Sequence, residues 1–332
     1  MIASKELAGS EHEVPQATEQ VDESLNRLPI QSIGGPEQKL KPVVPDLEPA
    51  TGISLQKRLR VHQVRFCSQL IRNASHFPAI SAFFKSIRNI PVFRNIVNGI
   101  IGYNRPFPTL QEANEYIADY DGGGHGHPFC AINLMKTVQK ANPSDYPALF
   151  FLQPILPAVR TVFDFGGSVG NLLYCYANYV SVPADLTWTV FDVAENVELG
   201  AQIARDTGER RLRFTSSLSD GDGSDVFIAT GALHYFEKSL PTMLSEYRLK
   251  PRYVLINRTP FSNGAPFATV QDAGRYRVAC MLYNQDELIA EFNAAGYDLV
   301  DRWTAAERTH IIPCYPDLSV RAYSGMFLKL RD

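Results

Sequence analysis

The chain has 332 residues, of which 45% are hydrophobic and 11% aromatic, values typical of a protein with a sizeable globular core. Its formal net charge is −3, and residues 112–332 alone are net acidic. A nucleic-acid partner is therefore disfavoured, because a phosphate backbone binds to a basic face. The five cysteines are scattered without a Cys-x-x-Cys pair, which argues against a disulfide framework and a structural zinc site. We expect a cytoplasmic protein, since neither a secretory signal nor a spanning apolar stretch of about 20 residues is recognisable.

Residues 1–50 are predicted to form a disordered acidic tail. Residues 1–48 carry nine acidic and four basic side chains, together with many Pro, Gln and Ser and few aromatic residues. The apolar content of this segment is too low to offset the entropy lost on ordering.

Residues 51–150 are predicted to form a basic helical N-terminal module and a glycine-rich loop. No Asp or Glu occurs between Glu48 and Glu112, whereas nine Lys and Arg do. Apolar residues recur at helical spacing from about 54 to 101, and Pro78 and Pro91 are expected near helix starts. This module either packs on the following domain as an accessory bundle, or uses its basic 54–105 segment to contact a membrane surface or another acidic partner.

A helix is predicted over Leu110–Ile117 and a flexible loop over Asp121–Pro128, where residues 122–126 include four glycines. His125 and His127 lie in this loop. They are candidates to reach an active site, or to bind a metal with Asp121. The simpler interpretation, that they are soluble loop residues, predicts no metal site.

Residues 151–332 are predicted to form one α/β domain, because short apolar runs alternate with helical stretches. Helices are expected over Val169–Val180 and Ala194–Thr207, and Asn284 with Glu287 forms a capping box that opens another helix. A last strand with no helix after it suits an antiparallel insertion. The predicted strands are Thr161–Phe165, Leu186–Phe191, Leu212–Phe214, Asp225–Thr230, Tyr253–Asn257, Asp298–Trp303 and Tyr323–Leu330.

The strongest motif is Val162-Phe-Asp-Phe-Gly-Gly-Ser-Val-Gly-Asn-Leu172, a buried strand followed by a glycine turn and a helix. Its glycines permit a tight turn and a close approach of a ligand to the main chain. The helix N-terminus offers unpaired N–H groups to a carboxylate. Asp192 ends the second strand, 22 residues beyond Gly170, where a carboxylate can accept hydrogen bonds from the ribose hydroxyls of a nucleoside.

Residues 162–172 resemble motif I of class I S-adenosylmethionine-dependent methyltransferases, hhDhGxGxG, with Ser168 in place of the middle glycine. The resemblance covers roughly residues 150–332. It implies a Rossmann-like seven-stranded mixed sheet, S-adenosylmethionine as cofactor, and Asp164 as a partner of the methionine amino group. The implied cofactor-binding residues are Asp164, Gly166, Gly167, Ser168, Gly170, Asp192, Val193, Ser216, Ser217, Thr230 and Gly231.

A narrower resemblance concerns residues 102–120 and the Tyr-Ser-Gly-Met-Phe run at 323–327. Together with the core motifs, these are similar to a group of bacterial methyltransferases that often accompany surface-polysaccharide genes.

Leu233-His234-Tyr235 resembles the Leu-His-Asp-Trp segment of plant-type small-molecule O-methyltransferases, whose histidine is the base. The resemblance implies that His234 is a general base, although Tyr235 stands where that family has Asp. The alternative is a histidine that only packs against the cofactor or caps the next helix. Further candidates for the acceptor side are Tyr103, His125, His127 and His310, and Tyr116 is a candidate to close the cofactor pocket with Tyr103.

The expected function is methyl transfer from S-adenosylmethionine to an oxygen of a small molecule or sugar, with carbon and nitrogen acceptors left open. One alternative is a non-catalytic methyltransferase-fold partner or scaffold subunit of a biosynthetic complex. Another is a nicotinamide-dependent oxidoreductase, which is disfavoured because Phe165 occupies the place of the first glycine in G-x-G-x-x-G.

Overall fold

The computed structural model describes residues 74–118, 140–272 and 277–332. The predicted acidic tail and the loop histidines His125 and His127 lie outside the described residues. Within these ranges, no helix has the length and apolar character needed to cross a membrane.

Two pairs of features confirm the predicted helix starts. Two helices begin at Pro78 and Pro91, where the missing proline N–H would have no helical partner in any case. The side chains of Thr109 and Asn284 each accept a hydrogen bond from a backbone N–H three residues later and so cap the helices that follow them. The described α-helices are α1 (Pro78–Arg88), α2 (Pro91–Ile101), α3 (Leu110–Ile117), α4 (Asp145–Ile155), α5 (Asn171–Tyr176), α6 (Ala194–Thr207), α7 (Leu240–Leu244) and α8 (Gln285–Ala294).

The strands form a Rossmann-like seven-stranded mixed sheet and a smaller three-stranded sheet. The described strands are β1 (Thr161–Phe165), β2 (Thr187–Phe191), β3 (Leu212–Thr215), β4 (Val226–Thr230), β5 (Tyr253–Thr259), β6 (Phe261–Ser262), β7 (Phe267–Asp272), β8 (Arg277–Asn284), β9 (Tyr297–Ala305) and β10 (Tyr323–Leu330). The large sheet has the order β3-β2-β1-β4-β5-β10-β9. Its first five strands pair in parallel, and β10 pairs antiparallel with both β5 and β9. The predicted antiparallel insertion of the last strand is confirmed.

α4 and the small sheet were not predicted from the sequence, and one predicted helix is longer than the observed one. α4 contains Pro147 and Pro154, which are unfavourable for helices in general, although the first turn tolerates Pro147. The predicted helix Val169–Val180 is α5 only, because Gly170 adopts a left-handed conformation at its start and a turn replaces the helix after Tyr176. The predicted domain boundary between residues 150 and 151 falls inside α4, and the domain limits stay a prediction.

Each face of the large sheet packs into its own apolar cluster. Phe163 and Phe165 of β1 point to the cluster shared with α7, α8 and the small sheet. Val162 points to the opposite cluster, shared with α4 and α5. Because side chains alternate along a strand, Asp164 lies on the same face as Val162 and beneath the end of the sheet. The backbone of Phe107, before α3, pairs with Ala268 of β7 and connects the helical region to the small sheet.

Candidate cofactor and active site

The glycine turn lies where the strand order reverses. The chain moves from β1 to β2 on one side, whereas β4 and β5 lie on the other, and ligands of open α/β sheets bind outside the carboxyl ends of strands at such a point. Three residues of the turn are left-handed: Gly166 (φ +69°), Ser168 (φ +52°) and Gly170 (φ +85°). A Cβ on Gly166 would come within 2.3 Å of the Ala232 Cβ, so the turn packs tightly against the segment that follows β4.

Asp164 supports this turn from below. Its side chain is 1% exposed, and its Oδ2 accepts a hydrogen bond of 3.0 Å from the Trp188 indole. A Cβ on Gly167 would lie 2.5 Å from the Asp164 carboxyl carbon, which explains why a glycine follows there. Burial raises the pKa of Asp164 to about 7, against the opposing influence of the Trp188 hydrogen bond and the Arg258 charge. A buried carboxyl group of this kind favours the binding of a nearby cation.

Asp192 joins the end of β2 to the glycine turn. Its Oδ2 accepts a hydrogen bond of 2.8 Å from the Ser168 N–H. Its Oδ1 accepts from the Val193 N–H at 2.8 Å and from the Asn196 amide at 2.7 Å. The Ser216 hydroxyl donates to the Asp192 backbone carbonyl at 3.1 Å. Four of the sequence-predicted residues, on three successive segments, are therefore in direct contact.

Two buried hydroxyls beside the turn lack partners. Among the described residues, the Ser168 Oγ and the Thr230 Oγ1 are buried without a hydrogen-bond partner. Gly231, which follows Thr230, has a φ of +72°. A Cβ at this position would have no atom of a more distant residue within 4 Å. Since buried polar groups are normally satisfied, these atoms and the open position fit a polar ligand lying across the turn and the end of β4.

Val193, Ser216 and Ser217 are the exposed members of the predicted set. Val193 precedes α6, and the Ser217 side chain bonds to the Ser219 hydroxyl at 2.8 Å rather than to the glycine turn. Their contribution to cofactor binding stays a prediction.

A buried polar network beneath the same sheet edge was not found from the sequence. The Asp145 carboxylate, 1% exposed, accepts hydrogen bonds from the Tyr176 hydroxyl at 2.9 Å and from Arg258 at 3.0 Å. The Asn257 amide donates to the Asp145 Oδ1 at 3.3 Å and its oxygen accepts from the Trp303 indole at 3.0 Å. Asn257 pairs in register with Thr230, so the network supports the end of β4. No local sequence motif marks these residues, because Asp145 and Asn257 are 112 positions apart.

His234 lies in the 3-10 helix Leu233–Tyr235 that follows Gly231 and Ala232. Its ring is buried at 1% exposure, with its centroid 4.1 Å from that of Tyr235 and 6.0 Å from that of Tyr323. The Tyr235 hydroxyl donates to the Gln271 side-chain oxygen at 2.5 Å, and the Gln271 amide donates to the Tyr323 hydroxyl at 3.0 Å. This polar group joins the β4 loop, β7 and β10 beside the candidate base, and none of its three side chains was predicted as a site residue.

Three further candidates, His310, Tyr103 and Tyr116, lie among the described residues. His310 is buried in the β9–β10 connection, where its backbone pairs with Val320 and burial lowers its pKa to about 4. Val320 belongs to the same apolar cluster as Tyr235 and Tyr323. Tyr103 is buried with the Arg277 guanidinium 3.7 Å from its ring centroid, and Tyr116 packs edge-on against it at 6.5 Å.

No family model and no curated protein matches the chain. Among solved structures, the chain is similar to Burkholderia thailandensis 1,6-didemethyltoxoflavin-N1-methyltransferase with bound 1,6-didemethyltoxoflavin and S-adenosylhomocysteine, at 21% identity, 69% coverage of this chain, 93% of that chain and a TM-score of 0.44. It is also similar to an S-adenosylmethionine-bound amino pentose methyltransferase from Micromonospora echinaspora, at 12% identity, 62% and 97% coverage and a TM-score of 0.39. An S-adenosylmethionine-dependent methyltransferase from Aquifex aeolicus matches at 15% identity, 60% and 98% coverage and a TM-score of 0.35. With every TM-score below 0.5, these likenesses carry no conclusion about the chemistry of this chain.

Proposed function

We propose that the chain is a methyltransferase that uses S-adenosylmethionine. The observation that carries the proposal is the glycine turn at the strand-order reversal, with Asp164 buried beneath it and Asp192 bonded to its backbone. The antiparallel β10 between β5 and β9 supports it further. A dinucleotide-binding sheet continues with parallel strands in the order 3-2-1-4-5-6, which this sheet does not do.

The bound cofactor supplies an electrophilic methyl group on a positively charged sulfur. Asp164 provides buried negative charge next to the turn, and Gly167, which lies on it, keeps the backbone close. Asp192 offers its carboxylate to the ribose hydroxyls by exchanging one of its present donors, which are the Ser168 N–H, the Val193 N–H and the Asn196 amide. Ser168 and Thr230 gain partners for their buried hydroxyls.

The proposed acceptor is an oxygen of a small molecule or sugar, with His234 as the group that removes its proton. His234 follows Ala232, which touches Gly166, so the candidate base is two residues from a contact with the turn. Tyr235, Gln271 and Tyr323 form a hydrogen-bonded set of hydroxyl and amide groups next to His234. Such groups suit a hydroxyl-bearing acceptor, because methyl transfer depends mainly on the alignment of the acceptor with the methyl carbon.

The test is calorimetry on the full chain with S-adenosylmethionine, S-adenosylhomocysteine and NAD in separate titrations. We expect binding of the first two at one site per chain and none of NAD. In the Asp192→Ala variant, we expect S-adenosylhomocysteine to bind at least about tenfold more weakly, since hydrogen bonds to a charged group contribute roughly 1.5–3 kcal/mol. Binding of NAD alone would overturn the proposal, and an unchanged affinity in the variant would remove Asp192 from the site.

A second candidate is a non-catalytic methyltransferase-fold subunit. The observation that favours it is the burial of His234, which is 1% exposed and shielded by Tyr235 and Tyr323. Binding of neither nucleoside would favour this candidate.

A further inference from the structure

Helices α1 and α2 present a continuous apolar face to solvent. In the described chain, eight of the fourteen exposed large hydrophobic side chains lie in α1, in α2 or at their N-caps, and Val92 is the most exposed at 80%. We define this α1–α2 apolar face as Phe77, Ile80, Phe83, Ile90, Val92, Phe93, Ile96 and Ile100. A single exposed apolar residue needs no explanation, but a contiguous patch marks a surface that binds something.

The face is a consequence of how the two helices are anchored. Their opposite side packs on Cys314 and Tyr315 of the β9–β10 connection through Val97 and Ile101. The Ser81 hydroxyl donates to the Cys314 carbonyl at 3.0 Å, and buried Arg88 donates to the Gly102 carbonyl at 2.6 Å. The anchoring side is thus held by specific polar bonds. The exposed side chains at i, i+3 and i+4 spacing have no role in that packing.

The charged side chains of α1 and α2 are all basic. The sequence has no Asp or Glu between Glu48 and Glu112, so neither helix carries a carboxylate. The Lys85 ammonium lies 4.2 Å from the Tyr315 ring centroid, and the Arg94 guanidinium lies 6.0 Å from that of Tyr116. Exposed apolar side chains on helices whose charged residues are all basic have the composition with which amphipathic helices bind anionic lipid surfaces.

We propose that the α1–α2 apolar face binds the surface of a membrane containing anionic phospholipids, with Phe83, Val92 and Ile96 among the inserted side chains. A second copy of the chain fits this face less well. A two-fold contact through this face would bring together helices that carry Lys85, Arg88 and Arg94 and no carboxylate to pair with them. Lipid phosphates provide that missing charge. The proposal does not depend on the proposed methyl transfer.

The experiment is flotation of the full chain with vesicles of phosphatidylcholine containing about 30% phosphatidylserine, an anionic composition of the kind that attracts basic segments. Vesicles of phosphatidylcholine alone serve as the comparison. We expect the chain to bind the anionic vesicles and this binding to weaken as salt is raised from about 0.1 to 1 M, because the Debye length falls from roughly 10 to 3 Å. Failure to bind the anionic vesicles, or equal binding to both compositions, would overturn the proposal.

Two variant pairs test the surface itself. The double variant Phe83→Ser, Val92→Ser should bind the anionic vesicles at least about tenfold more weakly, because the burial of each apolar side chain contributes roughly tenfold in affinity. The matched control is Phe150→Ser, Leu249→Ser, whose side chains are 71% and 69% exposed elsewhere. Val92→Ser alone serves if the double variant does not fold. Equal binding by variant and control would contradict the proposal.

The charge pair is Lys85→Glu, Arg94→Glu against the exposed control Arg210→Glu, Arg248→Glu. Each basic residue near a lipid surface contributes about fivefold in affinity. The Lys85→Glu, Arg94→Glu variant should therefore lose at least about 25-fold more affinity for the anionic vesicles than for the neutral ones. The control variant should lose less. Sedimentation of the wild-type chain without lipid distinguishes self-association from membrane binding. A dimer that Val92→Ser dissociates, with no vesicle binding, would assign the face to a second copy instead.

Discussion

The charge of Asp164 should oppose folding and support ligand binding, and Asp164→Asn separates these two effects. Asparagine keeps the shape of the side chain and an oxygen that accepts the hydrogen bond from Trp188. It removes the carboxyl group whose ionisation is disfavoured by burial. We therefore expect a variant that is more stable than the wild type above neutral pH but binds S-adenosylmethionine more weakly.

The magnitude follows from the pKa. In the folded chain the pKa of Asp164 is raised from 3.8 to about 7, so between these values the unfolded chain releases the proton and the folded chain retains it. The free energy of unfolding therefore falls as pH rises through this window, by about 1.4 kcal/mol per pH unit and up to about 4 kcal/mol in total. Asp164→Asn lacks this loss, so its advantage over the wild type should grow from about pH 4 to about pH 7 and stay constant above.

The assay is urea denaturation of both proteins from pH 4 to pH 8, with and without S-adenosylmethionine. The difference between the two proteins isolates Asp164 from every other titrating group. With the cofactor present, the wild type should gain more stability than the variant, whose affinity we expect to fall roughly ten- to a hundredfold through loss of the charged partner. A pH-independent difference, or equal stabilisation of both proteins by the cofactor, would refute the reasoning.

Three further predictions concern neighbouring features. Gly231→Ala should lose about 1–2 kcal/mol of stability, because its backbone is left-handed, and at least about tenfold in S-adenosylhomocysteine affinity. The control Gly208→Ala, at φ +70° and equally open, should show the loss of stability in denaturation but no loss of affinity in calorimetry. Equal affinities of the two variants would contradict a ligand at Gly231. As pH falls from 6.5 to 4, the wild type should lose about 3 kcal/mol of its free energy of unfolding, because the pKa of His310 in the folded chain is lowered to about 4 and only the unfolded chain gains the proton in that window. His310→Leu should abolish this loss. The same pH dependence of stability in both proteins would refute the prediction. His234→Gln should lower kcat about a hundredfold or more while calorimetry shows unchanged cofactor affinity, and normal turnover would leave His234 a packing role only.

Local patterns predicted the elements that surround the glycine turn. β1 has the limits expected, because a short apolar run is followed directly by two glycines, which favour a turn. Asp192 was found because a carboxylate at the end of the second strand must lie next to the first turn in a parallel sheet. The contact between Asp192 and the Ser168 N–H follows from that order of elements.

Long-range contacts account for what sequence reasoning did not find. Asp145 and Arg258 meet through the packing of α4 on β5, and nothing within either segment indicates the other. Gln271 joins Tyr235 and Tyr323 only because β7 and β8 form a sheet above the β4 loop. The exposed side of α1 and α2 was also missed, since the apolar spacing predicts helices but does not say which stripe is covered.

The most direct test of the central claim is a crystal structure of the chain grown with S-adenosylhomocysteine. We predict density for the nucleoside across the carboxyl ends of β1 and β2, with the ribose hydroxyls on the Asp192 carboxylate and the amino acid portion over Gly166 and Gly167. A structure in which the ligand lies elsewhere, or in which Asp192 keeps all its present donors with the nucleoside bound, would contradict the account.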